Sequence, residues 1–263
     1  MKNIIRLALV IVALVPPLAF AETPEEKGKA IAIEADRRDL GWKDNKSVLK
    51  MILRNRHGQE STRKMRRMAL ENTEKGRGDK SLIIFDDPRD IRGTAFLSHT
   101  KILKPDDQWL YLPALKRVKR ISSANKSGPF VGSEFAFEDL LSQEVEKYSY
   151  KWLRDESCGD LQCFVVERYP RYKKSGYKRQ VVWVDKDEYR PQKIDFYDRK
   201  NVLLKTLIYE NYHRYLDQYW RSHVLKMKNH QTGKSTDLLT EAWKFRLGQK
   251  ASLFTPARLK RAR

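Results

Sequence analysis

Two cysteines, five histidines and a few paired carboxylates are the residues of this 263-residue chain whose types could carry chemistry. Cys158 and Cys163 flank Gly159-Asp160 in a turn between two strand-like runs. A C-x4-C spacing, with no helix start to lower a thiol pKa, points to a structural disulfide pinning a hairpin rather than to a redox pair. Closing so short a loop contributes about 2 kcal/mol. His57, His99, His213, His223 and His230 do not fall into H-x-x-x-H or H-E-x-x-H spacing, so no metal site is expected. Asp86-Asp87 and Asp106-Asp107 each sit beside a proline, where carboxylates cap turns rather than work as an acid–base couple. There is no G-x-S-x-G elbow, and Gly76-x-Gly78 lacks the third glycine and the following helix of a phosphate loop. No catalytic residue and no cofactor are expected, and the chain does not read as an enzyme.

What stands out instead is apolar bulk in a strongly charged chain: six tryptophans, and methionines such as Met51, Met65, Met68 and Met227. The central stretch is Arg92–Leu140. Two β-prone runs, Thr94–Leu103 and Gln108–Leu112, flank the turn Pro105-Asp106-Asp107, and Pro113 stops the second run because it has no donor for a ladder. The basic run Lys116, Arg117, Lys119, Arg120 follows. Then comes a glycine-punctuated loop carrying Phe130, Gly132, Phe135 and Phe137. Loops are normally polar, so three phenylalanines in one need an apolar surface to cover. The expectation is a lid that closes over a hydrophobic interior, with Gly128 and Gly132 as candidate hinges.

The elements around this loop are mostly strands. Thr23-Pro24-Glu25-Glu26 is a helix start with a reciprocal cap, and Gly41 is its expected stop. From Lys46 onward apolar residues alternate with polar ones between turn signals. About eleven strands in sequential hairpins result, too few helices being present to flank a parallel sheet. The fold class is mainly β: a curled antiparallel sheet with one open side, filled by the N-terminal helix and the phenylalanine loop. Period-two alternation nominates Leu49, Met51, Leu53, Phe85, Trp109, Tyr111, Phe196, Leu207 and Tyr209 as cavity lining, the choice of concave face being open at several of them. The tail from Pro256 to Arg263 is expected to fray.

Residues 1–21 read as a cleaved leader. Lys2 and Arg6 precede a short apolar run, and Ala19-Phe20-Ala21 fits the small-x-small rule. An uncleaved anchor helix is the alternative. Residues 22–263 then form one domain in the periplasm, with no later apolar run of membrane-spanning length. The formal charge of +20 falls to +18 without the leader. Export argues against nucleic acid as the partner and favours anionic lipid or an acidic protein, simple solubility being the plain alternative.

Arg92-Gly93-Thr94, Trp109-Leu110-Tyr111-Leu112-Pro113, Arg117-Val118-Lys119-Arg120, Phe130-Val131-Gly132-Ser133-Glu134-Phe135 and Glu138-Asp139-Leu140 occur in that order. This series resembles the LolA-like family of outer-membrane lipoprotein-sorting proteins, often found beside RND-type (MmpL-like) exporters. The resemblance covers nearly the whole mature chain. It implies a half-open antiparallel β-barrel with helices or loops over its concave face, and a cavity for lipid or lipoprotein acyl chains. The implied function is a carrier toward an outer-membrane acceptor, meeting an exporter and transiently an anionic membrane. An adaptor docking on the exporter without lipid cargo is the alternative. Lys116, Arg117, Lys119 and Arg120 become candidates for headgroup or membrane contact. The family's lipoprotein carrier relies on an arginine that locks its closed state, for which Arg92 is the candidate by position.

Overall fold

Thr23 opens the first helix, α1, Pro24–Arg38. Its hydroxyl accepts the Glu26 N–H at 3.2 Å while Glu26 Oε2 accepts the Thr23 N–H at 2.9 Å, and Pro24 stands where no helical donor is needed. The computed structural model describes residues 22–72, 77–102, 104–122 and 124–261. The proposed leader at 1–21 and Gly76 lie outside them.

Thirteen strands follow: β1 Asp44–Arg54, β2 Glu60–Leu70, β3 Arg77–Asp87, β4 Ala95–Lys101, β5 Asp107–Leu112, β6 Arg117–Arg120, β7 Tyr148–Cys158, β8 Leu161–Pro170, β9 Tyr177–Asp185, β10 Pro191–Asp198, β11 Leu203–Tyr215, β12 Tyr219–Asn229 and β13 Ser235–Phe245. All pair antiparallel in one sheet of order β6-β5-β4-β3-β2-β1-β13-β12-β11-β10-β9-β8-β7. Each half is a meander, and the two halves join where β1 pairs with β13. The sheet curls but does not close, leaving β6 and β7 as edges. This is a half-open barrel with more strands than the eleven expected. Arg117–Arg120 forms β6 although Val118 is its only apolar residue. An edge strand needs no buried row, and its charges discourage pairing with another chain.

Alternation along the strands separates two faces. Leu49, Met51, Met65, Ile83, Phe85, Phe96, Val182, Ile194, Phe196, Leu207, Met227 and Leu238 belong to the concave core. Leu82, Ile84, Ala95 and Leu97 point the other way, where Phe254 and Leu259 cover them. The tail through Leu259 therefore docks rather than frays, while residues 262 and 263 lie outside the described residues. The short helix α2, Pro256–Leu259, holds Leu259 on the convex face, and a ring nitrogen of His99 lies 2.7 Å from the Phe254 carbonyl.

The chain that links the two edges, residues 121–147, does not stay outside. It leaves β6, turns into the trough, and returns to start β7. At its end the buried Lys147 ammonium pairs with Asp106 in the β4–β5 turn, tying one edge of the gap to the other half of the sheet.

Candidate binding cavity

The concave face begins with β1, where Asn45, Ser47, Leu49, Met51 and Leu53 share one side. Register places Ala69, Arg67, Met65 and Arg63 of β2 beside the first four of these. Across β13, β12 and β11 the row from Met51 continues through Leu238, Leu225 and Tyr209. From Leu207 it reaches Ile194, Val182 and Val166 on β10, β9 and β8. Val, Ile, Leu and Met thus pave the floor of a trough.

The phenylalanine loop fills one end of that trough. Phe130 has no solvent exposure, and its ring centroid lies 5.7 Å from Phe85, 5.4 Å from Phe96 and 5.5 Å from Phe137. A polar network fixes it there. Asp139 accepts from Ala136 N at 2.7 Å, Tyr177 Oη at 2.7 Å and the buried Lys205 ammonium at 2.6 Å. Glu138 accepts from Gly176 N at 2.7 Å and Ser175 Oγ at 2.9 Å, and burial pushes its carboxyl pKa up. Lys205 also donates to the Glu134 carbonyl, and Gln108 to that of Phe137. Arg63, its pKa lowered by burial, donates to the Val131 carbonyl. Val131 itself stands at φ 46°, ψ 43°, a left-handed conformation that a β-branched residue rarely adopts. Phe130, Phe135 and Phe137 are therefore a plug held inside the trough, not a lid resting over it. Rings of this size gain more from full burial than from covering a mouth.

Beyond the plug the trough is hollow. A cavity of about 1350 Å³ lies among Ile31 of α1, Leu49, Met51, Met65, Leu207 and Leu238, and Arg and carboxylate side chains line it as well. α1 forms one wall. It packs against β7 so closely that Gly28 has backbone of Lys151 and Trp152 where a Cβ would be.

Of the residues nominated from alternation, Leu49, Met51, Phe196, Leu207 and Tyr209 line this void. Leu53 and Phe85 belong to the concave core, with Phe85 against the plug. Trp109 and Tyr111 are corrections. They pair beside Leu97 and Ala95 and pack on the convex face with the tail, because the concave row of β5 is that of Leu110. Gly132, at φ 78°, lies behind the plug near Arg63. Lys116, Arg117, Lys119 and Arg120 are exposed at the β6 edge, away from the void, and Arg120 pairs with Asp107. Arg92 is also a correction: it is exposed, bonding the Asp86 carbonyl and pairing with Asp87, and touches no part of the plug. Cys158 and Cys163 form a disulfide at the β7–β8 turn. Sequence reasoning missed Arg63 and Arg67, which read as two more cations in a basic strand. Their alternation with Met65 was the available signal.

Among the described residues no group of three or more His, Cys, Asp or Glu is placed to hold a metal ion, and no helix is long and apolar enough to cross a membrane.

Residues 77–261 match a family model described only as that of an uncharacterized protein. Among solved structures, a domain from Vibrio parahaemolyticus provisionally described as an outer membrane lipoprotein-sorting protein is 56% identical, with a TM-score of 0.87 over 90% of this chain and 99% of that one. The chain belongs to the LolA-like family. A DUF1329 family protein from Desulfovibrio piger is 29% identical, with a TM-score of 0.85 over 90% of this chain and 99% of that one. A LolA superfamily protein from Nitrosomonas europaea shares the fold at 23% identity, with a TM-score of 0.69 over 87% and 97% of the two chains. The search of curated proteins returned no match. The half-open barrel with an occupied concave side is thus the LolA-like architecture.

Proposed function

We propose that this LolA-like protein is a periplasmic carrier that shelters the acyl chains of a lipid or lipoprotein on the way to the outer membrane. One observation carries the reading: an apolar-floored void of about 1350 Å³ inside the sheet. Pockets for drug-sized ligands span roughly 300–1000 Å³, so the void is large enough for a long hydrocarbon tail. Each buried methylene contributes about 0.8 kcal/mol, which gives ample affinity without any covalent step. The lipoprotein-sorting description of the Vibrio relative speaks for the same class of cargo. The void favours a carrier over an adaptor, whose interior could be solid. The leader at residues 1–21 supplies the route to the periplasm. An RND-type exporter and an outer-membrane acceptor are the partners this reading calls for, and the cationic edge at Lys116, Arg117 and Lys119 is the side offered to an anionic membrane.

Release requires something to move. The plug is anchored by the buried Lys205–Asp139 ion pair, whereas α1 rests chiefly on β7 and has only Gly28 and Ile31 buried. In this reading α1 is the wall that yields, and the plug, latched by Arg63, sets the depth of the void. Organic extraction of protein purified from its own envelope, followed by mass spectrometry, is the test. Acyl lipid recovered in stoichiometric amount is expected. Protein that comes out empty and fails to take up added lipid would sink the carrier reading.

A further inference from the structure

Two buried donors at one place on the concave face, beside a poorly bonded guanidinium, lack the acceptors expected of them. Register sets Arg67 of β2 opposite Ser47 of β1, and Ser47 opposite Trp243 of β13. Ser47 is 1% exposed, and its hydroxyl has no hydrogen-bond partner among the described residues. The indole N–H of Trp243 is buried and likewise unpartnered. Arg67 lines the cavity, and its one hydrogen bond among the described residues is a long one, 3.3 Å, to Asn45 Oδ1. Arg221, also lining the cavity, lies near enough for the two like charges to oppose each other, and burial lowers the pKa of Arg67 to about 10. The carboxylates around Arg67 give their hydrogen bonds to other partners, although Asp79 lies close enough to favour the charged guanidinium. Glu71 takes the N–H groups of Gly41 and Lys43 at 2.6 and 2.7 Å. Asp79 takes those of Asn72 N and Ser142 Oγ at 3.1 and 3.0 Å, and Asp39 pairs with Arg221 itself. Buried donors are ordinarily satisfied, and a row of unused ones beside a guanidinium is a receptor for negative oxygen.

The apolar floor starts at once beside this row. Leu49 and Met65 are the next residues on the same face of β1 and β2, about 7 Å along each strand. A ligand that satisfies both features has an anionic head and a hydrocarbon tail joined directly.

We propose that Arg67, Ser47 and Trp243, with Arg221, bind the anionic headgroup of the cargo, so that this carrier selects acyl lipids bearing a carboxylate or a phosphate over neutral ones. The proposal rests on the carrier reading above and goes beyond it in naming the chemistry of the head.

Calorimetric titration of the whole protein at pH 7.5 tests it with pairs of probes sharing one tail. Oleate against oleyl alcohol reads a carboxylate, and oleoyl lysophosphatidylglycerol against monoolein reads a phosphodiester. At least one anionic member is expected to bind ~10-fold or more tighter than its neutral partner, as charge-assisted hydrogen bonds in a sheltered site allow. Whichever pair shows the preference identifies the source of the charge. Arg67→Gln should abolish it. Ser47→Ala should weaken it too, and this variant removes a hydroxyl that bonds nothing, so folding is retained. Equal binding of anionic and neutral members by the wild-type protein would overturn the proposal while leaving the carrier reading intact. A preference that survives in Ser47→Ala and Arg67→Gln would also overturn it. Failure to bind any of the four probes would overturn the carrier reading itself.

Discussion

Arg63 and Val131 meet where the plug turns back on itself. A charged donor on a half-buried strand residue holds the carbonyl of a β-branched residue in a left-handed backbone state. Such a conformation costs on the order of 1–3 kcal/mol and persists only where its surroundings enforce it. Arg63→Gln should therefore release about 1.5–3 kcal/mol of local stability, the worth of a hydrogen bond from a charged group. Faster amide exchange confined to residues 130–137 is the expected readout. Glu144 offers a second residue-level test. Burial, with Asp79, Asp36 and Asp106 nearby and only Lys147 opposing, raises its pKa from 4.5 to about 7. The folded state thus holds a proton that the unfolded chain has released. The associated stability is complete below about pH 4.5 and is lost as pH rises through about 7. Melting at pH 6 and pH 8 should show the lower midpoint at pH 8, and Glu144→Gln should flatten that difference.

At the scale of elements, α1 and the β7–β8 hairpin are the parts most easily loosened. A methyl at Gly28 would sit 2.6–2.9 Å from backbone of Trp152 and Lys151, which cannot rotate away. Gly28→Ala should lift α1 from β7 and cost about 1–3 kcal/mol, with helical signal and lipid retention falling together in chemical denaturation. Replacing Cys158 and Cys163 by serine should cost about 2 kcal/mol and leave the void unaffected, since the crosslink closes a six-residue loop at a distant hairpin end. These elements were readable in advance to different degrees. The Thr23–Glu26 cap, the β4–β5 hairpin around Pro105 and the cysteine hairpin depend on local chemistry alone. Strand β6 was not readable, because an edge strand can be entirely charged. Nor was the docking of Phe254 and Leu259, whose partners lie about 155–175 residues away on a convex face that local pattern does not distinguish from the concave one. The same ambiguity put Trp109 and Tyr111 on the wrong side.

Across the whole molecule the sheet is filled at one end by its own phenylalanines and hollow at the other. The void is therefore a designed remainder of the fold, and filling it should affect capacity rather than stability. Leu207→Trp places an indole on the floor of the void, where about 1350 Å³ is open to receive it. The variant is expected to melt within a few degrees of the parent protein and to carry markedly less lipid by extraction. Loss of folding with no change in capacity would mean that Leu207 belongs to solid core.

The β1–β13 pairing has a consequence for how the molecule is made. Each half can zip up from near neighbours as it emerges, but the join between halves sits in the middle of the sheet and needs the last strand to find the first, some 190 residues earlier in the chain. Contacts that distant form late and slowly. Until they do, β1 and β12 are both raw edges, open to strands of other chains. A nascent copy is thus most exposed to misassembly just before it is finished, and a chaperone that shields the early half until Phe245 has arrived would meet the need this topology creates.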